Sequence, residues 1–500
     1  MKIVIIDYGS QYTQLLARRI REMGVFSTVV NSKDFKFDGT ELGVILSGGP
    51  MSVYDEETFE LPEELFNRTV PVLGICYGMQ LIAKRFGGRV ERGEISEYGF
   101  TKVSLSHSVL FEGIPSEITA WMSHGDTVKI LPKGFVQTAK SQNDLIAAFE
   151  YKNIHAIQFH PEVAHTEHGT DILKNFVFKI CKAQPQWTME SFVDSKVKEI
   201  KSIVKDKKVI GAISGGVDST IVTVLTSKAI GDHLIPIFVN HGLLRIEDME
   251  VPKDLKRIGI DVKVVDASNL FFERLKGIED PEKKRKTIGE TFIEVFEKEA
   301  LSYDAEFLLQ GTIYPDAIES ATTSKSSVKI KSHHNVGGLP ERMNLKLLEP
   351  IRELFKDEVR RVGKELGLPN TFIQRHPFPG PGLAVRIIGE VTREKADILR
   401  SADDILTKVL IEKGEYSKIW QAFAVLLSSR SVGVKGDARS YGYVLAIRAV
   451  DSVDGMTASW HDLPHDILKE ISTKITGQIP EIGRIVYDIT DKPPSTIEWE

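Results

Sequence analysis

Val70-Pro71-Val72-Leu73-Gly74-Ile75-Cys76-Tyr77-Gly78-Met79-Gln80-Leu81-Ile82-Ala83 is an apolar run that passes through a glycine-flanked cysteine into a helical pattern. Val70 to Cys76 reads as a buried strand and Met79 onward as a helix, so Cys76 stands at a strand-to-helix elbow. The two glycines permit a strained turn that lifts the thiol to the carboxyl edge of a sheet. There the following helix N-terminus favours a thiolate, and the next backbone N–H can face an oxyanion. The surroundings keep the same alternation: Lys2 to Asp7, a helix near Gln11 to Met23, then Val44 to Ser47. This rhythm predicts an open α/β sheet.

Two further groups complete a chemistry. Leu46-Ser47-Gly48-Gly49-Pro50 ends another strand, and its glycines let backbone approach a ligand closely. His160-Pro161-Glu162 follows Ala156-Ile157-Gln158-Phe159 and supplies an imidazole with a carboxylate two residues on. Alone, Cys76 would read as a buried small hydrophobe and His-Pro-Glu as a surface turn. Together, on strand ends of one unit, they form a nucleophile, a base and an orienting acid. Residues 1–185 resemble the class I, triad-type glutamine amidotransferases. The resemblance implies that Cys76, His160 and Glu162 hydrolyse the glutamine amide through a thioester, and that Gly49 and Tyr77 serve the oxyanion. Cys181 lies in a helical stretch without such company and is expected to be structural.

A helix around Asp171 to Lys182 closes this section, and Ala183-Gln184-Pro185-Gln186 reads as a linker. Met189, Phe192, Val193, Val197, Ile200, Ile203 and Val204 then form one face of an amphipathic helix. Val209 to Ile213, Leu234 to Val239, Val262 to Val265 and Phe307 to Leu309 predict a second buried sheet. It should end near Gly367-Leu368-Pro369, after a helix from about Lys356. Directly after Ile213 stands Ser214-Gly215-Gly216-Val217-Asp218-Ser219-Thr220. Glycines and small hydroxyl residues at a helix N-terminus expose N–H groups to an anion, so phosphate would bind there. No lysine occupies the Walker position, which argues against γ-phosphoryl transfer.

The hexapeptide resembles the signature of ATP pyrophosphatases, which cleave between the α- and β-phosphates and adenylate a substrate. The resemblance implies that Ser214, Gly215, Gly216, Val217, Asp218 and Ser219 bind ATP, that Asp218 holds Mg²⁺, and that Lys356, within Glu353 to Arg360, reaches the pyrophosphate. Gln310-Gly311-Thr312 offers more backbone near a ligand. Lys325 to Arg342 has the polarity and the Gly337-Gly338 pair of a lid.

The remainder reads as a small α+β domain: turn-rich His376 to Gly382, a helix carrying Ile398, Leu399, Ala402, Ile405, Leu406, Val409 and Leu410, and a strand at Tyr443 to Ile447. Phe238 to Arg245, His376 to Gly382, Arg430 to Asp437 and Lys492 to Glu500 resemble the glutamine-hydrolysing GMP synthases, and the similarity runs the whole length. It implies that ammonia from L-glutamine attacks XMP adenylated by ATP, that Lys492, Thr496, Ile497, Glu498 and Arg245 bind XMP, and that the C-terminal domain pairs two subunits into a homodimer. Asn240 departs from the family, which commonly carries Asp there, so a role needing charge is in doubt. The expected fold is α/β: two open, mostly parallel sheets, class I amidotransferase over 1–185 and adenine-nucleotide α-hydrolase-like over 186–368, plus an α+β dimerisation and XMP-binding domain over 369–500.

The whole composition sets bounds. In 500 residues, 64 basic and 70 acidic side chains leave a charge of −6, which argues against a broad nucleic-acid surface. Two cysteines are too few for a disulfide framework and fit a reducing compartment. Met1 to Asp7 reads as a strand rather than a signal peptide, and no run approaches the ~18 to 20 apolar residues of a membrane span. A cytoplasmic enzyme follows. Two rivals remain: another ATP pyrophosphatase reaction, of the tRNA-modification or NAD-synthesis type, and a non-catalytic nucleotide sensor.

Overall fold

Ile3 to Ile6 are all buried, as a continuous apolar strand requires when both faces of its sheet are covered. The computed structural model describes residues 1–500 apart from 56–57, 67–68, 315–344, 436–437 and 453–456. Its contacts divide the chain into two units, Met1–Ser191 and Phe192–Glu500. In the first, β1 (Lys2–Asp7), β2 (Ser27–Asn31), β3 (Glu41–Leu46), β4 (Val72–Ile75) and β9 (Ile154–Ile157) are parallel, in the order β2-β1-β3-β4-β9. Beyond β9 the sheet continues antiparallel through β8 (Ile146–Tyr151), β7 (Val136–Ser141), β5 (Arg89–Leu105) and β6 (Glu117–Ile130). The sequence reading left this extension unassigned.

The helix expected near Gln11 to Met23 is Thr13–Glu22, which buries Leu16, Ala17 and Ile20. Gly169–Lys174 continues through a wider turn, Asn175–Ile180, to the buried Cys181. A Cβ on Gly43 would lie 2.4 Å from the Cys181 sulfur, so the thiol fills a space glycine leaves open. Burial pushes that thiol's pKa up and keeps it inert.

In the second unit, helix Met189–Val204, whose first turn spans the division between the units, leads to five parallel strands. They are β10 (Val209–Ile213), β11 (Leu234–Asn240), β12 (Lys263–Asp266), β13 (Phe307–Leu309) and β14 (Lys346–Leu348), in the order β12-β11-β10-β13-β14. A third sheet pairs β15 (Gln421–Lys435) with β16 (Ala438–Asp451) antiparallel, and β16 with β17 (Ser459–Trp460) antiparallel and β18 (Ile482–Asp488) parallel. Helices Arg393–Glu412 and His465–Gln478 pack on one face, while Phe423, Val425, Ala446, Val450 and Ile497 form a smaller cluster. The expected division at 368/369 falls inside this unit, where Ile210, Ile237, Leu399 and Ile447 belong to one apolar cluster. The expected lid, Lys325 to Arg342, lies outside the described residues, as do Gly436 and Asp437 of the Arg430 to Asp437 stretch.

Candidate functional site

Strands β1, β3, β4 and β9 all run the same way, so the segments that follow them gather at one edge of the first sheet, where open α/β folds bind ligands. Cys76 follows β4 with φ 50° and ψ −106°, a conformation held by what surrounds it. A Cβ on Gly78 would stand 2.5 Å from the Leu46 carbonyl oxygen, and one on Gly74 2.6 Å from Ile82 Cδ1. Both glycines are therefore sterically required. The Cys76 N–H donates to Ile157 O at 2.8 Å and the Gly78 N–H to Ser47 O at 3.1 Å, which leaves the Tyr77 N–H as the elbow amide for a ligand. Gly49 lies beside it: a Cβ there would meet Tyr77 Cδ1 at 3.1 Å and Tyr8 O at 2.8 Å.

His160 and Glu162 are buried, with His160 Nδ1 donating to Glu162 Oε1 at 2.7 Å. Thr166 Oγ1 donates to the His160 carbonyl at 2.6 Å, and Tyr12 packs edge-on to the ring at 5.0 Å. Burial pulls the imidazole pKa down, but the Glu162 carboxylate and the hydrogen bond to Cys76 outweigh it and push it up to about 11. The three triad candidates are thus brought together. Ser123, which the sequence reading missed, places its carbonyl oxygen 3.7 Å from Cys76 Sγ. The signal available was Ser123-His124-Gly125-Asp126, a polar run inside a strand pattern.

In the second unit the loop after β10 closes on itself before helix Val217–Ile230. Ser219 Oγ donates to Gly216 O at 3.1 Å, Ser214 Oγ and Ser219 Oγ are 3.0 Å apart, and Gly215 takes φ +85°. This turns backbone toward the helix N-terminus and makes a cradle for an anion. Lys356 Nζ donates to both oxygens of Asp218, at 2.7 and 2.6 Å, so the expected cation does sit at the loop. Gly311 abuts it: a Cβ there would lie 3.3 Å from Ser219 N.

Of the remaining candidates, Arg245 lies beside Phe378. The Arg245 guanidinium stands 4.4 Å from that ring and is held by Asp248 at 2.9 and 3.1 Å. Arg386 lies 5.1 Å from the same ring and grips Glu498 through two bonds of 3.0 and 2.8 Å. Gln421 adds a third donor to Glu498 at 2.9 Å, so the carboxylate is already engaged by protein. Thr496 bonds the Glu498 carbonyl, Ile497 is buried, and Lys492 pairs through its backbone with Ala458. The last residues are tied down: buried Arg448 reaches the carbonyls of Thr490, Thr496 and Ile497, Lys284 bonds the Glu500 carboxylate, and Arg285 its carbonyl. Asn240 Oδ1 accepts from Gly242 N at 3.0 Å, a role an amide fills without charge.

Three family models match the chain: glutamine amidotransferase class-I over residues 4–180, NAD synthase over 187–283, and the GMP synthase C terminal domain over 408–499. Among curated proteins, the sequence is 56% identical to a GMP synthase (glutamine-hydrolysing) of Thermotoga maritima, with 100% of each chain covered. It is 55% identical to that of Petrotoga mobilis, again over 100% of each, and 54% identical to that of Aquifex aeolicus, over 100% of this chain and 99% of the relative.

Proposed function

The chain belongs to the glutamine-hydrolysing GMP synthases, and we propose that it works through the residues gathered above: Cys76, His160 and Glu162 for glutamine, the Ser214 to Ser219 loop and Lys356 for ATP, and Arg245 with the Lys492 to Glu498 segment for XMP. It is a ligase that makes GMP with glutamine as amido donor. Cys76 Sγ attacks the carboxamide carbon of glutamine, and the N–H groups of Tyr77 and Gly49 stabilise the oxygen that takes up the electron pair. His160, held protonated by Glu162, gives its proton to the departing nitrogen, which leaves ammonia and a thioester. Water attacks the thioester as His160 takes the proton back, and glutamate departs.

In the other half-reaction the C2 oxygen of XMP attacks the α-phosphorus of ATP, and pyrophosphate leaves into the loop's N–H groups and the charge of Lys356. Ammonia adds at C2 and AMP departs. Asp218, whose carboxylate stands at the anion cradle paired with Lys356, is the residue that would hold a Mg²⁺ ion, which when bound would neutralise charge on the substrate phosphates. No helix among the described residues is long and apolar enough to cross a membrane. Free Cys76 and Cys181 support a cytoplasmic setting. Val432, Val434 and Tyr441, exposed on the β15–β16 hairpin with Val434 at 76%, support a homodimer.

The buried 2.7 Å bond from His160 to Glu162 behind the elbow cysteine carries this reading. Purified protein given ATP, Mg²⁺ and glutamine is offered XMP or tRNA. GMP and AMP are expected with XMP, and Cys76→Ala should keep synthesis from added ammonium while losing it from glutamine. AMP release with tRNA but not XMP would overturn the assignment.

A further inference from the structure

Glu97 on β5 and His124 on β6 face each other inside the first unit, each side chain 2% exposed, with Glu97 Oε2 3.0 Å from His124 Nε2. The other ring nitrogen, Nδ1, lies 2.9 Å from the carbonyl oxygen of Asp126. A carbonyl oxygen can only accept. Glu97 in turn receives Asn143 Nδ2 on Oε1 at 2.8 Å, and hydrogen bonds from His124, Ser141 and Asn143 outweigh the burial that would raise its pKa, so it stays a carboxylate. Both ring nitrogens of His124 are therefore engaged, one by the Glu97 carboxylate and the other by the Asp126 carbonyl.

Such a buried polar pair is costly to desolvate and is weak evidence of stabilisation by itself, since apolar pairs of similar volume often do as well. Its place explains it better. The β5–β6 ladder pairs Arg92 with Asp126 and Glu97 with His124, so residues 93–96 bulge out opposite Gly125 and regular backbone pairing is interrupted there. Side chains hold the segment in its place. Gln80, on the helix that follows Cys76, donates to Asp126 O at 2.9 Å, Ser52 bonds the Asp126 carboxylate, and His124 braces the same carbonyl from within the strand. The segment so held carries the Ser123 carbonyl that lies 3.7 Å from Cys76 Sγ.

We propose that Glu97 and His124 are a positioning pair, which fixes the Ser123 to Asp126 backbone as the wall against which glutamine is aligned for Cys76. The inference rests on Cys76 being the nucleophile, so Cys76→Ala is assayed alongside. In Glu97→Gln the KM for glutamine should rise about tenfold or more, with kcat lowered less and ammonium-supported GMP formation unchanged, because misplacement of the wall acts on the alignment of one substrate. The double variant Glu97→Leu/His124→Met, which removes both polar side chains and keeps the volume, should fold and show the same KM defect. Wild-type KM in both folded variants overturns the pair's role. Glutamine-dependent synthesis surviving in Cys76→Ala overturns the nucleophile beneath it, and a fall in ammonium-supported synthesis matching the glutamine defect shows a general structural role and overturns the proposal as well.

Discussion

Replacing Gly78 by alanine tests the elbow with the smallest possible change. The added Cβ would lie 2.5 Å from Leu46 O, 2.7 Å from Leu46 Cβ and 3.0 Å from Leu46 C, where ordinary contact begins at 3.4 Å. The shortfall of about 0.9 Å is against backbone and Cβ of β3, which cannot rotate aside, so helix Tyr77–Arg85 has to move by nearly that distance. The motion pulls the Tyr77 N–H away from Gly49 and stretches the 3.1 Å bond from Gly78 N to Ser47 O. Displacement of about 1 Å at a reacting centre costs on the order of 100-fold in rate, and overpacking about 1–3 kcal/mol in stability. Glutamine-dependent GMP formation in Gly78→Ala should therefore fall about 100-fold while the ammonium-dependent rate stays within about twofold. Gly477→Ala serves as control, since a Cβ there meets nothing within 4 Å. A folded Gly78→Ala protein with glutamine kcat within about threefold of wild type would refute the steric reasoning.

The pH profile offers a second test: with His160 pushed up to about 11, its extra stabilisation is complete below the ordinary 6.5 and is lost progressively as pH rises from there through about 11. Wild-type glutaminase should show no limb from this group between pH 7 and 9; Glu162→Gln removes the largest upward influence, leaves burial opposed by Cys76 alone, and so lowers the imidazole pKa and moves its falling limb down from about 11, and identical kcat profiles in the two proteins would contradict it. Asp218→Asn should stop AMP formation yet leave glutaminase active, because the triad sits in the other unit; AMP release at the wild-type rate, followed by chromatography, would remove Asp218 from the metal role. Glu498→Gln weakens the grip of Arg386 and should raise the KM for XMP about tenfold with the KM for ATP unchanged, as steady-state titration of each nucleotide would reveal.

What could be read from the chain beforehand was local. Val209–Ile213 and Phe307–Leu309 were expected at their observed bounds, because an uninterrupted apolar run beside glycine needs no partner to be recognised. The cysteine elbow and the phosphate loop belong to the same class, since each motif is contiguous. Strands β5 to β8 escaped because polar residues and exposed aromatics such as Tyr98 and Phe100 interrupt their pattern. β14 escaped because three residues with Lys346 and Leu347 exposed make too short a signal. Glu97 with His124, 27 residues apart, and Arg386 with Glu498, 112 apart, are tertiary pairings that no spacing rule reaches. The Glu-Trp-Glu ending had the composition of a frayed tail, yet Arg448 and Lys284 hold it, and burial of those cations cannot be foreseen from the tail itself.

That harness of Lys284, Arg285, Arg386 and Arg448 has a thermodynamic consequence. The conformational entropy of ordering Ser495 to Glu500 is surrendered when the unit folds, before any nucleotide arrives. If this segment binds the purine as proposed, capture resembles docking into a rigid mould, with a small heat-capacity change and no slow ordering phase, rather than the coupled folding a loose strand would impose.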